Sequence, residues 1–372
     1  MKSKILSIYL PQFHTIPEND KWWGKGFTEW TNVKRGRPFY FGHYQPRIPL
    51  KNNYYDLSNL KVLERHTQMA KKAGIYGFAF YQYYFSGKKL LEKPIENYRD
   101  YSKEEFPYCL IWENQSWART WYRANIGEDV LLKQEYGEKK DWKIHFEYLL
   151  TYFKDPRYIK INNKPVYIIY LPQDIESRKE IFKYWNELAI LEGFSGLYLI
   201  AMNTGWGADK AYNLYDAYMN FEPIRTMSVD LSWRNSIDHI KEKYVENINI
   251  KKSKWMNYLY ARNTYTYQYL CAQIEKGYCI PSNTKTIFGT FSGWDNSSRK
   301  DEAGIIVRNS TPKRFGVHIK RMLELSEKKK NEFLFLNAWN EWSEGAYIEP
   351  DERFKEAYLR ALRRAVYLYE ER

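Results

Sequence analysis

Eight apolar runs of strand length, most of them separated by segments of helix length, constrain this chain more than any other feature. They cover residues 5–10, 77–84, 108–112, 166–171, 197–202, 217–221, 286–291 and 333–336. Amphipathic stretches at 57–73, 139–153, 175–191, 312–329 and 352–368 carry the helical spacing of apolar side chains. Strands alternating with helices predict an α/β chain forming a single (β/α)8 barrel of TIM type. The 372 residues contain no Gly-Ser or Pro-rich linker, so one domain spanning 1–372 is expected. Two connections are long. Residues 11–56 are dense in Pro, Gly, Trp and Tyr and read as an ordered loop over the barrel mouth. Residues 222–285 are rich in Tyr, Lys and Asn and read as a helical insertion before the seventh strand.

In such a barrel the C-terminal strand ends share one face, where active sites sit. The residues that follow the runs are therefore the candidates. His14 follows the first run, and Gln82, Tyr83 and Tyr84 close the second. Trp112 closes the third, with Glu113, Asn114, Gln115 and Trp117 after it. Trp206 follows the fifth, Glu222 the sixth, and Trp294 and Asp295 the seventh. After the eighth comes Asn337-Ala338-Trp339-Asn340-Glu341-Trp342-Ser343-Glu344-Gly345. Two carboxyl groups three residues apart can move protons, and flanking indoles offer faces for sugar rings. A Glu-x-x-Glu is also a common helix start; Trp339, Trp342 and Gly345 weigh against that alternative. His14 either meets a sugar hydroxyl or is tied to loop backbone. Glu29 either binds hydroxyls or caps a short helix, and Arg119 and Arg299 either contact a phosphate or pair with acids.

Composition narrows the partners. The chain holds 35 Tyr, 14 Trp and 19 Phe, favouring a wet, aromatic-lined cleft for polar ligands. The formal charge is +13, but the lysines are scattered and no nucleic-acid motif accompanies them. Solvated helix faces explain the charge best, with attraction to an anionic membrane surface as the second reading. Three cysteines, Cys109, Cys271 and Cys279, lack metal-ligand spacing and exclude a disulfide framework. The first apolar run is too short for a signal peptide, and no stretch reaches transmembrane length. A cytoplasmic location follows as the expectation. Neither a phosphate cradle of Walker type nor a G-x-G-x-x-G after a strand is present, and no Asp-x-Asp pair occurs. Neither cofactor nor metal is expected.

Several motifs resemble the WbsX family, glycosyltransferases of surface-polysaccharide gene clusters, which is similar in turn to the glycoside hydrolase family 99 endo-α-mannosidases. They are Tyr9-Leu10-Pro11-Gln12-Phe13-His14, Pro17-Glu18-Asn19-Asp20, the stretch from Trp22 to Val33, and Gly42-His43-Tyr44-Gln45-Pro46. Gly293-Trp294-Asp295-Asn296 and the stretch from Asn337 through Glu349-Pro350-Asp351 complete the match. The resemblance implies a (β/α)8 barrel and an oligosaccharide or lipid-linked glycan as substrate. It also implies that Glu341 deprotonates a sugar 2-hydroxyl while Glu344 protonates the leaving oxygen. Such a mechanism retains configuration through a 1,2-anhydro sugar and needs the two acids held in different protonation states.

One segment departs from the family. WbsX-like chains usually read Trp-Ala-Asn-Glu-Asn-Trp after the third strand, whereas this chain reads Trp112-Glu113-Asn114-Gln115-Ser116-Trp117. An amide at Gln115 cannot act as a base. Either subsite specificity differs, or the site is impaired, or Glu113 restores part of the charge. Three functions therefore compete: glycosyl transfer or hydrolysis at the acid pair, a catalytically silent glycan-binding barrel, and charge-driven binding to nucleic acid or a membrane surface.

Overall fold

Each of the eight runs becomes part of one parallel barrel in the computed structural model, which describes residues 2–119, 130–205, 209–229, 264–281 and 283–371. The barrel strands in chain order are β1 (Lys4–Tyr9), β2 (Ile75–Phe85), β3 (Tyr108–Trp112), β4 (Lys164–Ile169) and β5 (Tyr198–Asn203). They continue as β6 (Ala217–Asn220), β7 (Lys285–Ile287), β8 (Gly289–Phe291) and β9 (Phe333–Asn337). Around the barrel the order is β7-β6-β5-β4-β3-β2-β1-β9-β8. Tyr9 aligns with Phe80 across one seam of β1, and Ser7 with Leu336 across the other.

The expected seventh strand is one chain pass broken at Phe288. Its first half pairs with β6 and its second with β9, which nearly closes the barrel. Gly289 permits the exchange of neighbours, since a Cβ there would overlap the carbonyl oxygen of Asn220.

The amphipathic stretches form the outer layer as helices Leu60–Lys72, Lys139–Phe153, Arg178–Leu191, Pro312–Lys328 and Ala357–Glu370. In helix 312–328, Pro312 occupies the first turn and the Thr311 side chain accepts from the Arg314 amide. Its buried side chains are Phe315, His318, Ile319, Met322, Leu323 and Ser326, a stripe at helical spacing. Burying a side chain such as Phe315 contributes about 2 kcal/mol.

Period-two alternation divides β2 between the two layers. Phe78, Phe80 and Tyr84 pack outward against Phe106, Tyr98 and His145. Tyr81 and Tyr83 have the opposite parity and feel the charge of Glu341 at the mouth.

Residues 11–56 cross that mouth with two short helices, Pro17–Trp23 and Glu29–Arg35. Trp22 packs edge-on against Trp117 at 5.7 Å and Trp23 against Phe27 at 5.9 Å, so both brace the loop. Residues 230–263, most of the expected insertion, lie outside the described residues. The described remainder includes helix Tyr267–Ile274, preceded by Thr264–Thr266, which pairs with Ile306–Arg308. Cys109 and Cys271 are buried and Cys279 is exposed. Among the described residues, no helix is long and apolar enough to cross a membrane.

Candidate active site

The acid pair sits on a small hairpin beyond β9. Asn340–Glu341 pairs antiparallel with Ala346–Tyr347, and Trp342–Glu344 forms a helical turn between them. Gly345 closes the turn at φ 62°, a left-handed conformation suited to glycine, and a Cβ there would press on Asp295. The hairpin is fixed from below. The Asn340 side chain accepts from the Leu10 amide at 2.8 Å and donates to the Leu10 carbonyl at 2.9 Å. Trp342 stacks on Tyr347 at 3.8 Å and donates its indole N–H to Glu349, which also meets Tyr55 and His66. Trp339 is fully buried between Phe78 and His66. These three residues hold the loop from within the core; Trp339 and Trp342 do not form the sugar faces that the sequence suggested, and the Asn340 side chain is taken up by Leu10.

Arg299, on the short helix Ser297–Lys300, organises the carboxylates. Its Nε and Nη2 donate to Glu29 Oε1 at 2.9 and 2.5 Å, and its Nη1 donates to Glu344 Oε1 at 2.8 Å. Glu341 Oε2 lies 3.9 Å from Nη2, and this buried oxygen has no hydrogen-bond partner among the described residues. Glu29 opens its helix, as the sequence allowed, but its carboxylate turns to Arg299, Asn32 and the Ser343 hydroxyl. Three acids thus crowd one guanidinium.

That crowding sets the protonation. Burial raises the Glu341 carboxyl well above its ordinary range; Glu344 and Glu29 push the same way, and Arg299 offsets only part. Burial also raises Glu344, against the pull of Arg299 and Lys300. Of the two, Glu344 is hydrogen-bonded to the guanidinium while Glu341 stands 3.9 Å from it, so the pair titrates as a unit whose proton rests preferentially on Glu341.

Tyr81, Tyr83 and Tyr170 complete the mouth. Burial raises all three hydroxyl pKa values, and neighbouring carboxylates add to the effect. Gln12 donates to the Tyr83 hydroxyl at 2.8 Å. Trp117 packs against Tyr83 at 5.3 Å, and its indole N–H lies 3.4 Å from Glu113 Oε2. Glu113 therefore joins the mouth, but burial pushes its pKa to about 8. It is protonated at neutral pH and does not restore the charge that Gln115 lacks. Gln115 itself is half-buried.

Other candidates fall elsewhere. Tyr84 stacks on His145 at 3.8 Å and Trp112 meets His145 and Trp185, so both belong to the strand–helix layer by parity. Asn114 bonds both backbone groups of Leu171 and ties β3 to the end of β4. His14 Nδ1 meets the Pro11 carbonyl at 3.0 Å, and burial lowers its pKa, leaving a neutral loop histidine. The Glu222 side chain accepts from the Thr226 amide at 3.0 Å, and burial raises its pKa to about 7. Asp295 is saturated with donors from His43, Gln45, Arg47 and Ser297. Trp294 is buried beside it and lines a separate cavity. Trp206 lies outside the described residues.

The sequence missed Tyr81 and Tyr170 as mouth residues, although the parity of β2, which puts Tyr81 on the same face as Tyr83, contained the signal for the first. Arg299 was legible only as an arginine in reach of acids or phosphate; its central position depends on the helix after β8. Among the described residues, no group of three or more His, Cys, Asp or Glu side chains is placed to hold a metal ion.

Comparison with known proteins agrees with this architecture. The family described as Glycosyltransferase WbsX matches residues 5–362. The uncharacterized protein WxcX of Xanthomonas campestris pv. campestris strain B100 is 30% identical over 370 residues, covering 98% of this chain and 50% of that protein. The chain thus spans about half the length of the curated relatives it matches. The endo-α-mannosidase of glycoside hydrolase family 99 from Bacteroides thetaiotaomicron superposes with a TM-score of 0.56 at 14% identity, over 99% of this chain and 96% of that one. A glycoside hydrolase-like protein superposes with a TM-score of 0.58 at 13% identity, over 98% and 94%. At these identities the structural likeness speaks for the shared barrel. The match across nearly the whole sequence speaks for more: this chain belongs to the WbsX glycosyltransferase family.

Proposed function

We propose that the chain transfers a glycosyl group, with retained configuration, in bacterial surface-polysaccharide metabolism, and that Glu341 and Glu344 carry the chemistry. The observation that supports this most strongly is the buried Glu341 Oε2, without a hydrogen-bond partner among the described residues, beside an acid held by Arg299. A sugar 2-hydroxyl donating to that oxygen satisfies it and favours its ionised form. The shared proton then resides on Glu344. Glu341 takes the hydroxyl proton as O2 attacks C1, the bond from C1 to the leaving oxygen breaks, and Glu344 protonates that oxygen. In the second half an acceptor hydroxyl gives its proton to Glu344 and attacks C1, while the C1–O2 bond opens and O2 recovers its proton from Glu341. Two inversions give net retention.

Hydrolysis differs only in that water replaces the acceptor. Substrates of this reading are an oligosaccharide or a lipid-linked glycan, met in the cytoplasm or at the inner face of an anionic membrane. The test offers free glycans, lipid-linked oligosaccharide and nucleotide-sugars, and follows products by mass spectrometry. Wild type is expected to give a product that neither Glu341→Gln nor Glu344→Gln gives. Product formation surviving both substitutions would remove the acid pair from the chemistry.

A further inference from the structure

Directly behind the acid hairpin lies a second cavity of about 320 Å³, within the size range of small-ligand sites. Gly345 forms part of its wall, and the Asp295 amide, from another part of that wall, donates to the Glu344 carbonyl at 2.6 Å. One turn of chain thus separates the cavity from the catalytic carboxylates.

Its lining includes three guanidinium groups, from Arg47, Arg308 and Arg353. Each is mounted on an aromatic face: Arg47 over Tyr44 at 5.1 Å, Arg308 over Tyr40 at 4.4 Å, and Arg353 over Tyr44 at 5.1 Å. Two acids also line the cavity, and both are engaged. Asp295 accepts from His43, Gln45 and Ser297 as well as Arg47, while Asp351 accepts from the Tyr347 hydroxyl and the Phe354 amide. The Nε atoms of Arg47 and Arg308 are buried without a hydrogen-bond partner among the described residues. Among described side chains, no acid forms a salt bridge with Arg308 or Arg353. Such a cluster has donors left over for an anion, and stacked guanidinium groups suit phosphate oxygens in particular.

At the rim, Phe41 is fully exposed. The segment leading to it reads Lys34-Arg35-Gly36-Arg37-Pro38-Phe39-Tyr40-Phe41. Three basic residues before an exposed aromatic tip form the combination that attracts a protein to an anionic, apolar interface.

We infer that this cavity is a pyrophosphate subsite beside the barrel mouth, taking the pyrophosphate of a glycan carrier. A cluster of three guanidinium groups exceeds what a single carboxylate matches, and the volume exceeds what one phosphate fills. The pyrophosphate comes from either of two sources, a long-chain lipid pyrophosphate or a soluble nucleotide-sugar, and Phe41 serves only the first. The inference takes its substrate class from the proposed glycosyl chemistry, but the binding it asserts is measured without turnover.

The test titrates the full chain with inorganic pyrophosphate in a calorimeter at low salt. Arg308→Gln and Arg353→Gln are each expected to weaken binding about tenfold, whereas Glu341→Gln leaves it unchanged. Arg47 bonds Asp295, so its substitution is not used. A second arm sediments the protein with phosphatidylcholine vesicles, plain or doped with a long-chain alkyl pyrophosphate. Capture by doped vesicles alone, lost in Phe41→Ser, assigns the lipid source; pyrophosphate binding without capture assigns the soluble one. Absence of pyrophosphate binding, or binding indifferent to both arginine substitutions, overturns the subsite. Product formation that survives Glu341→Gln and Glu344→Gln overturns the glycosyl chemistry instead, so the two failures are distinguishable.

Discussion

Asp295 and Glu341 are both buried carboxylic acids, and they face opposite sides of the same turn, yet their surroundings differ completely. Asp295 has five donor contacts, from His43, Gln45, Arg47 and the amide and hydroxyl of Ser297. Burial opposes its charge, but His43 and Arg47 hold it below the ordinary carboxylate range. Glu341 Oε2 has a guanidinium at 3.9 Å and, among the described residues, no hydrogen-bond partner. Burial and the neighbouring Glu344 hold it well above that range. A carboxylate saturated with donors is spent on architecture; one starved of them has acceptor capacity left over. The contrast separates two acids that look equivalent in sequence, each next to a tryptophan after a strand.

The comparison breaks most easily at the starved acid. Glu341→Gln is expected to lower turnover by about 10³-fold, while its urea midpoint stays equal to wild type or rises, because no satisfied bond is lost. A marked loss of stability would contradict the contrast. At the saturated acid the effect is the converse. Asp295→Asn leaves His43 and Arg47 without their charged partner and is expected to destabilise the fold by about 3–5 kcal/mol in urea denaturation. Wild-type stability in that variant would mean that Asp295 does not anchor the loop.

The same contrast marks what the sequence carried. The strands were legible because apolar runs and helical spacing report burial directly, and all eight chain passes of the barrel follow them. The acid pair was legible because its motif is local. Tyr84, Trp112 and Trp339 were misplaced because parity decides which face of a strand a side chain takes. A break in a strand, or the first residue past its end, resets that count. Arg299 and the donors around Asp295 were illegible in their roles, since they come from segments about 250 residues apart, between His43 and Asp295.

Smaller effects sharpen the account. Glu113 keeps its proton to about pH 8 in the fold, against an ordinary value of 4.5. Between those limits the unfolded chain binds fewer protons than the folded one, so raising the pH favours unfolding. The slope approaches about 1.4 kcal/mol per pH unit inside the window. Glu113→Gln is expected to remove that part of the stability–pH curve, measured by urea denaturation at pH 5 and pH 8; an unchanged curve would place its titration elsewhere. The smallest effect belongs to the outer layer. Tyr84→Phe removes a hydroxyl on the helix side of β2 and is expected to change turnover by less than about twofold. A larger loss would return Tyr84 to the mouth.

The central claim concerns one proton, shared by Glu341 and Glu344 and resting on Glu341 before a substrate binds. Infrared difference spectroscopy between wild type and Glu341→Gln at neutral pH measures it directly. The account predicts that the difference contains the carbonyl stretch of a protonated carboxyl group, which disappears only as the pH is raised well above the ordinary carboxylate range. A difference containing only ionised carboxylate bands at neutral pH would contradict it.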